Sequence, residues 1–410
     1  MCYAVAMPRF EPFAGLRYDS ARVDLSAVIA PPYDVVGPDD RARLAGRHSA
    51  NSIRVELPEP DHRAELDRYA NAARQLERWQ EEGILVRDAV PSFYAYRMTA
   101  PNGRPTNGVI GALGIDDRSA AETLPHELTL PKAKSDRLDL LQATHANLSP
   151  IWGLSLSSGL TKTFERDTPP HAVATDEDGV SHELWVIDEP MVIDAVRDAV
   201  GTSPVVIADG HHRYETALAY RRGLSERGLM SVAGGESDAD LVMALVVELA
   251  EDQLDVGPFH RALSGLPDGL DLVDAFSSWF DVTRAGDFNE RTTGALGESG
   301  ALALVMSSGT WLLSPKDGTP EAAGAALDSS MVALVIAELP DHDLQFFHSW
   351  RDAIDAVATG RAQAVVLLRP VRVEQIAEWA RAGRRMPAKS TYFHPKPRTG
   401  MVFRTLDVPA

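Results

Sequence analysis

The stretch 204–214 reads PVVIADGHHRY and decides the predicted fold of this chain. Its first five residues, Pro204–Ala208, form a compact apolar run typical of a buried strand. Asp209 and Gly210 follow as a tight turn, and from His211 onward apolar residues recur with the spacing of one helical face. A strand, a glycine turn and a helix in this order predict a β–α unit of an α/β fold.

The same turn carries an unusual set of polar side chains at a predicted helix start. A helix N-terminus presents unpaired backbone N–H groups and the positive end of the helix dipole, so it favours anions. Glycine lets a ligand approach the backbone closely, and arginine can grip phosphate oxygens with two N–H groups. Cationic side chains interact unfavourably with the positive end of the helix dipole, and a bound anion would offset this repulsion. We therefore predict a phosphate site formed by Asp209, Gly210, His211, His212 and Arg213. The alternative is a surface turn with solvated His and Arg side chains.

Strands and helices alternate on both sides of this turn. The pattern predicts strands at 182–188, 205–208 and 241–249 and helices at 191–200 and 211–222. A chain of 410 residues is long enough for several domains. We predict three tightly packed lobes: an N-terminal α/β lobe (1–160), a central lobe with the turn (161–265) and a C-terminal α/β lobe (266–410). Ser26–Ala30, stopped by Pro31 and Pro32, predicts a further buried strand.

The composition limits the partners and the compartment. Acidic residues number 59 and basic residues 40, which gives a net charge of −19. Such a surface repels nucleic acids and anionic lipids, so we predict neither as a partner. Cys2 is the single cysteine, the N-terminus lacks a signal-peptide pattern, and apolar runs such as Leu241–Val247 are too short to span a bilayer. These features predict a cytoplasmic protein with a small-molecule substrate. They do not indicate its oligomeric state.

Lysine is rare in this chain, with 6 Lys against 34 Arg. Four of the six fall into two short stretches, as Lys132 with Lys134 and Lys389 with Lys396. A compact ammonium group is the donor that lysine supplies and arginine does not. We therefore predict that these lysines are partners of the glycine turn; the alternative is chance clustering.

Two further segments combine cations with groups that can carry protons. The first runs from Thr123 to Arg137, with His126 or Glu127 as a general base beside Lys132, Lys134 and Arg137. The second runs from Met386 to Lys396 and sets Lys389, Ser390, Thr391 and Lys396 between prolines, which suits a preorganised binding loop. The alternative for the first segment is a charged loop with a helix cap. The alternative for the second is a rigid loop that only packs against the protein. Walker, dinucleotide, zinc-helix and nucleophile-elbow motifs are absent from the sequence.

Several of these motifs recur together, in this order, in one family. They are Pro31–Val36, Asn51–Arg54, Leu57-Pro58, Pro125–Arg137, Asp209–Ala217 and Met386–Lys396. On these motifs the chain resembles, over nearly its whole length, the bacterial and archaeal family carried as domain of unknown function ten-fifteen. That resemblance implies no particular reaction.

A second resemblance covers only the turn. Asp209–Tyr214 looks like the phosphate-binding turn of the ParB/sulfiredoxin-like fold, which implies a mixed α/β (α+β) protein with such a core and additional α/β lobes. In sulfiredoxin the comparable string is Gly-Cys-His-Arg, and His211 stands where that cysteine would be. The resemblance therefore does not extend to sulfinic-acid reduction. Free-serine kinases of the same fold have an Asp-Gly-His-His-Arg type of turn and phosphorylate a small hydroxyl substrate.

The first functional hypothesis is a nucleotide-dependent phosphotransferase that acts on a small hydroxylated, serine-like metabolite. ATP or ADP with Mg²⁺ would be its cofactor, and Lys132 or Lys389 would neutralise the negative charge that develops on the transferred phosphoryl group. The candidate catalytic residues are Asp34, Glu56, His126, Glu127 and His212.

Two other functions remain open. The chain could be a non-catalytic sensor of a nucleotide or phosphometabolite, which would use the same turn without a base. It could also be a metal-dependent hydrolase that uses His126, His211 and His212 with a carboxylate, although the spacing of the histidines matches no known metal pattern.

Overall fold

The computed structural model describes residues 8–115, 123–125, 134–230, 237–286, 300–316 and 327–407. The chain divides into two compact units: the first comprises Met1–Asp255 and Pro395–Ala410, and the second comprises Val256–His394. The protein is a mixed α/β protein. The division into three lobes stays a prediction.

The first unit contains most of the described helices and strands. Its strands are β1 (Phe10–Glu11), β2 (Leu16–Tyr18), β3 (Leu85–Arg87), β4 (Phe93–Thr99), β5 (Pro105–Gly114), β6 (Thr123–Pro125), β7 (Ala146–Asn147), β8 (Ile151–Ser155), β9 (Ala172–Thr175), β10 (Ser181–Ile187), β11 (Val205–Asp209), β12 (Leu241–Glu248) and, near the C-terminus, β21 (Arg404–Thr405). Its helices are α1 (Leu25–Val28), α2 (Pro38–Arg47), α3 (Ile53–Glu56), α4 (Arg68–Glu81), α5 (Lys134–Thr144), α6 (Leu160–Phe164), α7 (Pro190–Gly201) and α8 (His211–Glu226). Short 3-10 helices lie at Tyr33–Val35 and Asp238–Asp240.

A nine-stranded mixed sheet forms the frame of the first unit. Eight strands follow the order β6-β11-β8-β12-β5-β4-β10-β9, and β1 pairs with β5 outside this path. β11 is parallel to β6 and antiparallel to β8, whereas β12 is parallel to β8 and antiparallel to β5. The pairs β2–β3 and β7–β21 form two smaller sheets. The predicted alternation around the turn is confirmed, since β10, α7, β11, α8 and β12 follow one another along the chain.

The core of this unit explains how the turn is positioned. Val205 and Ile207 of β11, Val196 of α7 and Tyr214 of α8 belong to one buried apolar cluster, so the strand and both helices are fixed by the same packing. The register between β11 and β8 shifts just before Asp209. Irregularities of this kind redirect the side chains at a strand end. The last residue of β11 is thereby half-buried, while the four residues before it are buried.

The sequence-based prediction of a strand at Ser26–Ala30 is wrong. The structure has the short helix α1 at Leu25–Val28, and the carboxylate of Asp24 accepts a hydrogen bond from the backbone N–H of Ser26. An aspartate before a short apolar run is a helix N-cap signal, and such runs do not distinguish strand from helix by periodicity. Ala30 instead pairs as an isolated bridge with Thr399, just before the two prolines.

The second unit has its own sheet and its own core. A six-stranded antiparallel sheet has the order β15-β17-β16-β19-β14-β18, and β13 pairs separately with β20. These strands are β13 (Asp255–Gly257), β14 (His260–Ser264), β15 (Phe280–Ala285), β16 (Leu302–Met306), β17 (Gly309–Pro315), β18 (Asp343–Phe347), β19 (Ala364–Leu367) and β20 (Tyr392–His394). The helices are α9 (Leu272–Ser277), α10 (Asp328–Glu338), α11 (Trp350–Ala358) and α12 (Val373–Arg381). No helix in the described parts of either unit has the length and apolar character needed to cross a membrane.

Candidate functional site

The site is built on the turn between β11 and α8. Gly210 has a φ of +85°, a left-handed conformation that glycine adopts without steric cost. A Cβ atom at this position would lie 3.0 Å from the guanidinium of Arg213. The backbone angle therefore favours glycine here, and any other residue would also press against the Arg213 guanidinium. The helix that follows is 16 residues long and begins at His211.

Asp209 holds two cations at this turn. One carboxylate oxygen accepts a hydrogen bond from Nη2 of Arg213 at 3.0 Å, and the other accepts one from Nζ of Lys396 at 2.9 Å. The Lys396 ammonium also donates to Asp34 at 3.0 Å. Lys396 is 187 positions from Asp209 and 362 from Asp34 in sequence, so the fold alone creates this cluster.

Each charged group in this cluster stabilises the charged form of its neighbours. Burial opposes the charged form of Asp209, but Lys396 and Arg213 outweigh it and hold the pKa of Asp209 below its ordinary value. Burial likewise opposes the charged form of Lys396, but Asp209 and Asp34 raise its pKa above its ordinary value. Arg213 behaves in the same way, with its pKa raised against burial by Asp209 and Asp34. All three groups are therefore charged at neutral pH.

A second set of contacts connects Arg213 to a buried carboxyl group. Nη1 of Arg213 donates to Oγ of Ser149 at 3.2 Å and also to the backbone oxygen of Pro150. The Ser149 hydroxyl donates in turn to Oε1 of Glu56 at 3.2 Å. Glu56 is 2% exposed, and burial raises its pKa even though Arg137 and Arg213 lower it in part. Glu56 is thus linked to the turn through one serine.

Arg137 is the second arginine that lies beside Glu56. Its Nη1 donates to the backbone oxygen of Glu56 at 2.7 Å, and its Nε and Nη2 bind one carboxylate oxygen of Asp136 at 2.9 and 2.6 Å. The guanidinium carbon lies 4.5 Å from the ring centroid of Tyr33, which is a cation–π contact. Burial raises the pKa of the Tyr33 hydroxyl. Arg137 is therefore held by the protein on several sides and has less freedom than Lys396 to turn towards a ligand.

The structure brings together a large part of the predicted site. The predicted residues in the connected network are Asp34, Glu56, Arg137, Asp209, Gly210, Arg213 and Lys396. His211 and His212 occupy the first turn of α8 and are half-buried. The roles of all these residues in ligand binding or catalysis stay predictions.

Other predicted residues lie elsewhere or outside the described chain. His126, Glu127 and Lys132 lie outside the described residues, and Lys134 is the first residue of α5. Lys389, Ser390 and Thr391 belong to the second unit, where the Lys389 ammonium lies 4.9 Å from the ring centroid of Phe259. The Ser390 hydroxyl is 2.8 Å from the hydroxyl of Ser329 and donates to the backbone oxygen of Pro387 at 2.6 Å.

Sequence reasoning did not assign a role to three residues that the structure places in or beside this network. Tyr33 stacks on Arg137, and Ser149 connects Glu56 to Arg213. Thr216 lines one pocket together with Ser149 and Arg213 and is buried on α8, three positions after Arg213. For Thr216 a signal existed, because residues three apart share a helix face. Nothing in the sequence alone links Ser149 to a glutamate 93 positions away.

Nowhere among the described residues do three or more His, Cys, Asp or Glu side chains come together in a way that could hold a metal ion. Because His126 is not described, the hydrolase hypothesis stays untested.

Several solved structures are similar to this chain at low sequence identity. A conserved hypothetical protein from Pyrococcus furiosus is 14% identical, with a TM-score of 0.37 over 74% of this chain and 94% of that one. A free serine kinase variant in complex with AMP is 15% identical, with a TM-score of 0.39 over 70% of this chain and 86% of that one. C-terminally truncated SbnI from Staphylococcus aureus is 12% identical, with a TM-score of 0.39 over 71% and 85%.

Sequence comparison gives a clear family assignment but no characterised relative. No curated protein matches the chain significantly. The sequence profile of one family matches residues 10–335, a range that includes β1, the glycine turn and most of α10. The chain therefore belongs to the DUF1015 family of proteins of unknown function.

Proposed function

We propose that this protein binds the phosphates of a nucleotide at the Gly210 turn and transfers a phosphoryl group to a small hydroxylated, serine-like metabolite. The observation that carries this proposal is the contact of Lys396 and Arg213 with the same carboxylate, Asp209, at the start of a 16-residue helix. The two cations, the glycine backbone and the helix N-terminus together support an anion site at this turn.

The two cations suit phosphoryl transfer because they differ in freedom. Arg213 is anchored by Asp209, Ser149 and Pro150, so its guanidinium keeps one orientation. Lys396 is held only by carboxylates, and an arriving phosphate competes with these for the ammonium group. Catalysis of phosphoryl transfer depends mainly on positioning and on stabilising the charge of the transferred group.

The proposed cofactor is ATP or ADP with Mg²⁺. Protein sites commonly hold Mg²⁺ through one or two carboxylates together with substrate phosphates. Asp34, which is 39% exposed, and Asp209 would meet this requirement after the Lys396 ammonium, which both carboxylates contact, has moved towards a phosphate. Bound Mg²⁺ would supply charge neutralisation of the phosphates.

A general base is the remaining requirement. The described candidates are Asp34, which faces solvent, Glu56, whose raised pKa brings it closer to neutral pH, and His212 in the first turn of α8. Asp34 and Glu56 belong to the network that surrounds Arg213.

Phosphorus NMR tests this function directly. Purified full-length protein is incubated with ATP, Mg²⁺ and a panel of small hydroxylated metabolites, and the expected result is loss of the ATP signals together with a new phosphomonoester signal. Arg213→Gln should abolish transfer, whereas Arg222→Gln, an exposed arginine on the same helix, should retain it. Nucleotide binding without transfer to any acceptor would refute the phosphotransferase and favour the non-catalytic sensor. Absence of nucleotide binding would refute both functions.

A further inference from the structure

Four residues that the proposed reaction does not use form a closed hydrogen-bonded ring in the first unit. We name it the Arg398 ring, and its members are Arg398, Tyr96 of β4, His182 of β10 and Asp176, which directly follows β9. The side chains of His182 and Asp176 are 0% and 6% exposed. A buried polar network makes a structure rigid only when its hydrogen bonds are satisfied, so the direction of each bond matters.

The direction of each hydrogen bond in the Arg398 ring follows from the groups involved. The backbone N–H of Arg398 donates to the Tyr96 hydroxyl at 3.2 Å, and Nε of Arg398 donates to Asp176 at 2.7 Å. A carboxylate only accepts, so Nε2 of His182 carries the proton that is donated to Asp176, 2.9 Å away. Burial lowers the pKa of His182, and the neutral imidazole accepts at Nδ1 from the Tyr96 hydroxyl, 2.8 Å away. The ring therefore holds Arg398 both by its backbone and by its side chain.

Arg398 belongs to a short segment, residues 395–400, that is held at more than one point. Its sequence is Pro-Lys-Pro-Arg-Thr-Gly. The first proline has a fixed φ, and the second restricts Lys396 to extended conformations. Thr399 exchanges two backbone hydrogen bonds with Ala30, at 2.9 and 3.1 Å. With Arg398 held by the ring and Thr399 by these bonds, the backbone that carries Lys396 has little freedom.

The pair of Ala30 and Thr399 also explains why Lys396 meets Asp34. The pairing is antiparallel, so the chain after Ala30 and the chain before Thr399 leave it in the same direction. Asp34 comes four residues after the first member of the pair. Lys396 comes three residues before the second. Oγ of Ser52 donates to the carbonyl oxygen of Thr399 at 3.0 Å and fixes the pair further. The ammonium and carboxylate that meet at 3.0 Å are thus positioned from one point.

We propose that the Arg398 ring is a positioning network for Lys396, which holds the segment 395–400 so that the ammonium group stays on Asp209 at the phosphate turn. The ring acts through the lysine and is assigned no contact with a ligand. If the segment were loosened, the ammonium group could leave Asp209, and the anion site would lose one of its two cations. The proposal rests on the proposed function only where it gives Lys396 a phosphate to bind.

Competitive acetylation of the full chain with a trace of acetic anhydride tests the positioning without any ligand. Only a neutral amine reacts. Burial opposes the charged form of Lys396, but Asp209 and Asp34 outweigh it and raise its pKa, so these contacts suppress its acetylation. Tyr96→Phe removes one hydroxyl from the Arg398 ring. We expect it to raise the acetylation rate of Lys396, measured by peptide mass spectrometry against the exposed Lys162 in the same sample, roughly fivefold, as for the loss of one buried hydrogen bond.

Tyr94→Phe is the matched control for this experiment. Tyr94 is also a buried tyrosine of β4, but its hydroxyl accepts from the backbone N–H of Gly15 at 2.6 Å and donates to Asp88 at 2.8 Å. The control therefore removes a buried, hydrogen-bonded hydroxyl of the same kind, and it should leave the relative acetylation of Lys396 unchanged. Equal increases in the two variants would show a general loss of stability and overturn the proposal. An unchanged rate in Tyr96→Phe would also overturn it.

Titration calorimetry with ADP and Mg²⁺ connects the Arg398 ring to the proposed function. Tyr96→Phe should raise the Kd for ADP roughly three- to tenfold in the wild-type background and leave it unchanged in the Lys396→Met background, because the ring acts through this lysine. Equal increases in both backgrounds would overturn the proposal.

The two experiments separate the proposal from the function on which it rests. Raised acetylation with an unchanged Kd for ADP would confirm the positioning and refute the role of Lys396 in phosphate binding. A wild-type protein that binds no ADP would refute the proposed function, and the acetylation rates would still decide the positioning. If Tyr96→Phe does not fold, Asp176→Asn, which removes the negative charge beside Arg398, takes its place in both experiments with the same expected results.

Discussion

Replacement of Lys396 by methionine tests the part of the site that is most sensitive to an arriving anion. Methionine keeps an unbranched, flexible side chain and removes only the ammonium group. In the folded protein this group lies 2.9 Å from Asp209 and 3.0 Å from Asp34, and its side chain is 10% exposed. The substitution therefore removes two charge-assisted hydrogen bonds from a largely buried cation.

The size of both effects follows from these contacts. Breaking a fully buried ion pair costs about 3–5 kcal/mol of stability, and an exposed pair contributes about 0–1 kcal/mol. Because Asp209 keeps its bond to Arg213 and Asp34 is 39% exposed, we expect Lys396→Met to lower the free energy of unfolding by about 1–3 kcal/mol. A hydrogen bond between charged groups contributes about 1.5–3 kcal/mol, so the Kd for ADP should rise about 10- to 150-fold.

Isothermal titration calorimetry with ADP and Mg²⁺ measures the affinity, and urea unfolding measures the stability. Lys162→Met is the matched control, because Lys162 is an exposed lysine on α6 of the same unit, and it should change neither quantity measurably. A folded Lys396→Met protein that binds ADP as tightly as the wild type would refute the assignment of Lys396 to the phosphate site. A large loss of stability without loss of affinity for ADP would show that Lys396 has only a structural role.

Two further predictions concern the turn backbone and a buried histidine. Gly210→Ala should raise the Kd for ADP roughly three- to tenfold, because the added Cβ would lie 3.0 Å from the Arg213 guanidinium and push it aside. Gly103→Ala, with a φ of +83° and open space around it, should leave this Kd unchanged and cost only the backbone strain of about 1–2 kcal/mol in stability. Equal affinities in the two variants would contradict the role assigned to Arg213. Burial lowers the pKa of His260 to about 4, so the unfolded chain takes up this proton below about pH 6.5 while the folded chain does not. Stability should therefore be complete above pH 6.5 and fall by about 3 kcal/mol as the pH decreases to 4, and an NMR titration that finds an ordinary imidazole pKa for His260 would contradict this expectation.

The sequence indicated those features that depend on neighbouring residues. The strand, the glycine turn and the helix around Gly210 are local, since a short apolar run, a residue tolerant of positive φ and a helical period are all read within 20 positions. The rarity of lysine also pointed to Lys396, and the structure places its ammonium on the turn. The strand predicted at Ser26–Ala30 is wrong because a short apolar run fits strand and helix alike, and Asp24 caps a helix at this place.

The remaining features of the site depend on tertiary contacts that no local pattern encodes. Glu56 was a candidate from the sequence, but its link to Arg213 passes through Ser149, and the three residues come from separate parts of the chain. An arginine in a solvated surface turn could be removed at little cost in stability, but the Arg213 side chain is 11% exposed and bonds three partners. Its removal therefore costs stability as well as affinity, which makes Lys396 the better residue for testing the phosphate site.

The most direct test of the central claim is a crystal structure of the full chain with ADP and Mg²⁺. The account predicts that a phosphate oxygen lies within hydrogen-bond distance of Arg213 and of Lys396, with the phosphate against the backbone of Gly210 and His211. It also predicts that the ammonium of Lys396 has moved from Asp34 towards the phosphate. ADP bound at another place, with the contacts of Lys396 to Asp34 and Asp209 unchanged at about 3 Å, would contradict the claim that this turn is the phosphate site.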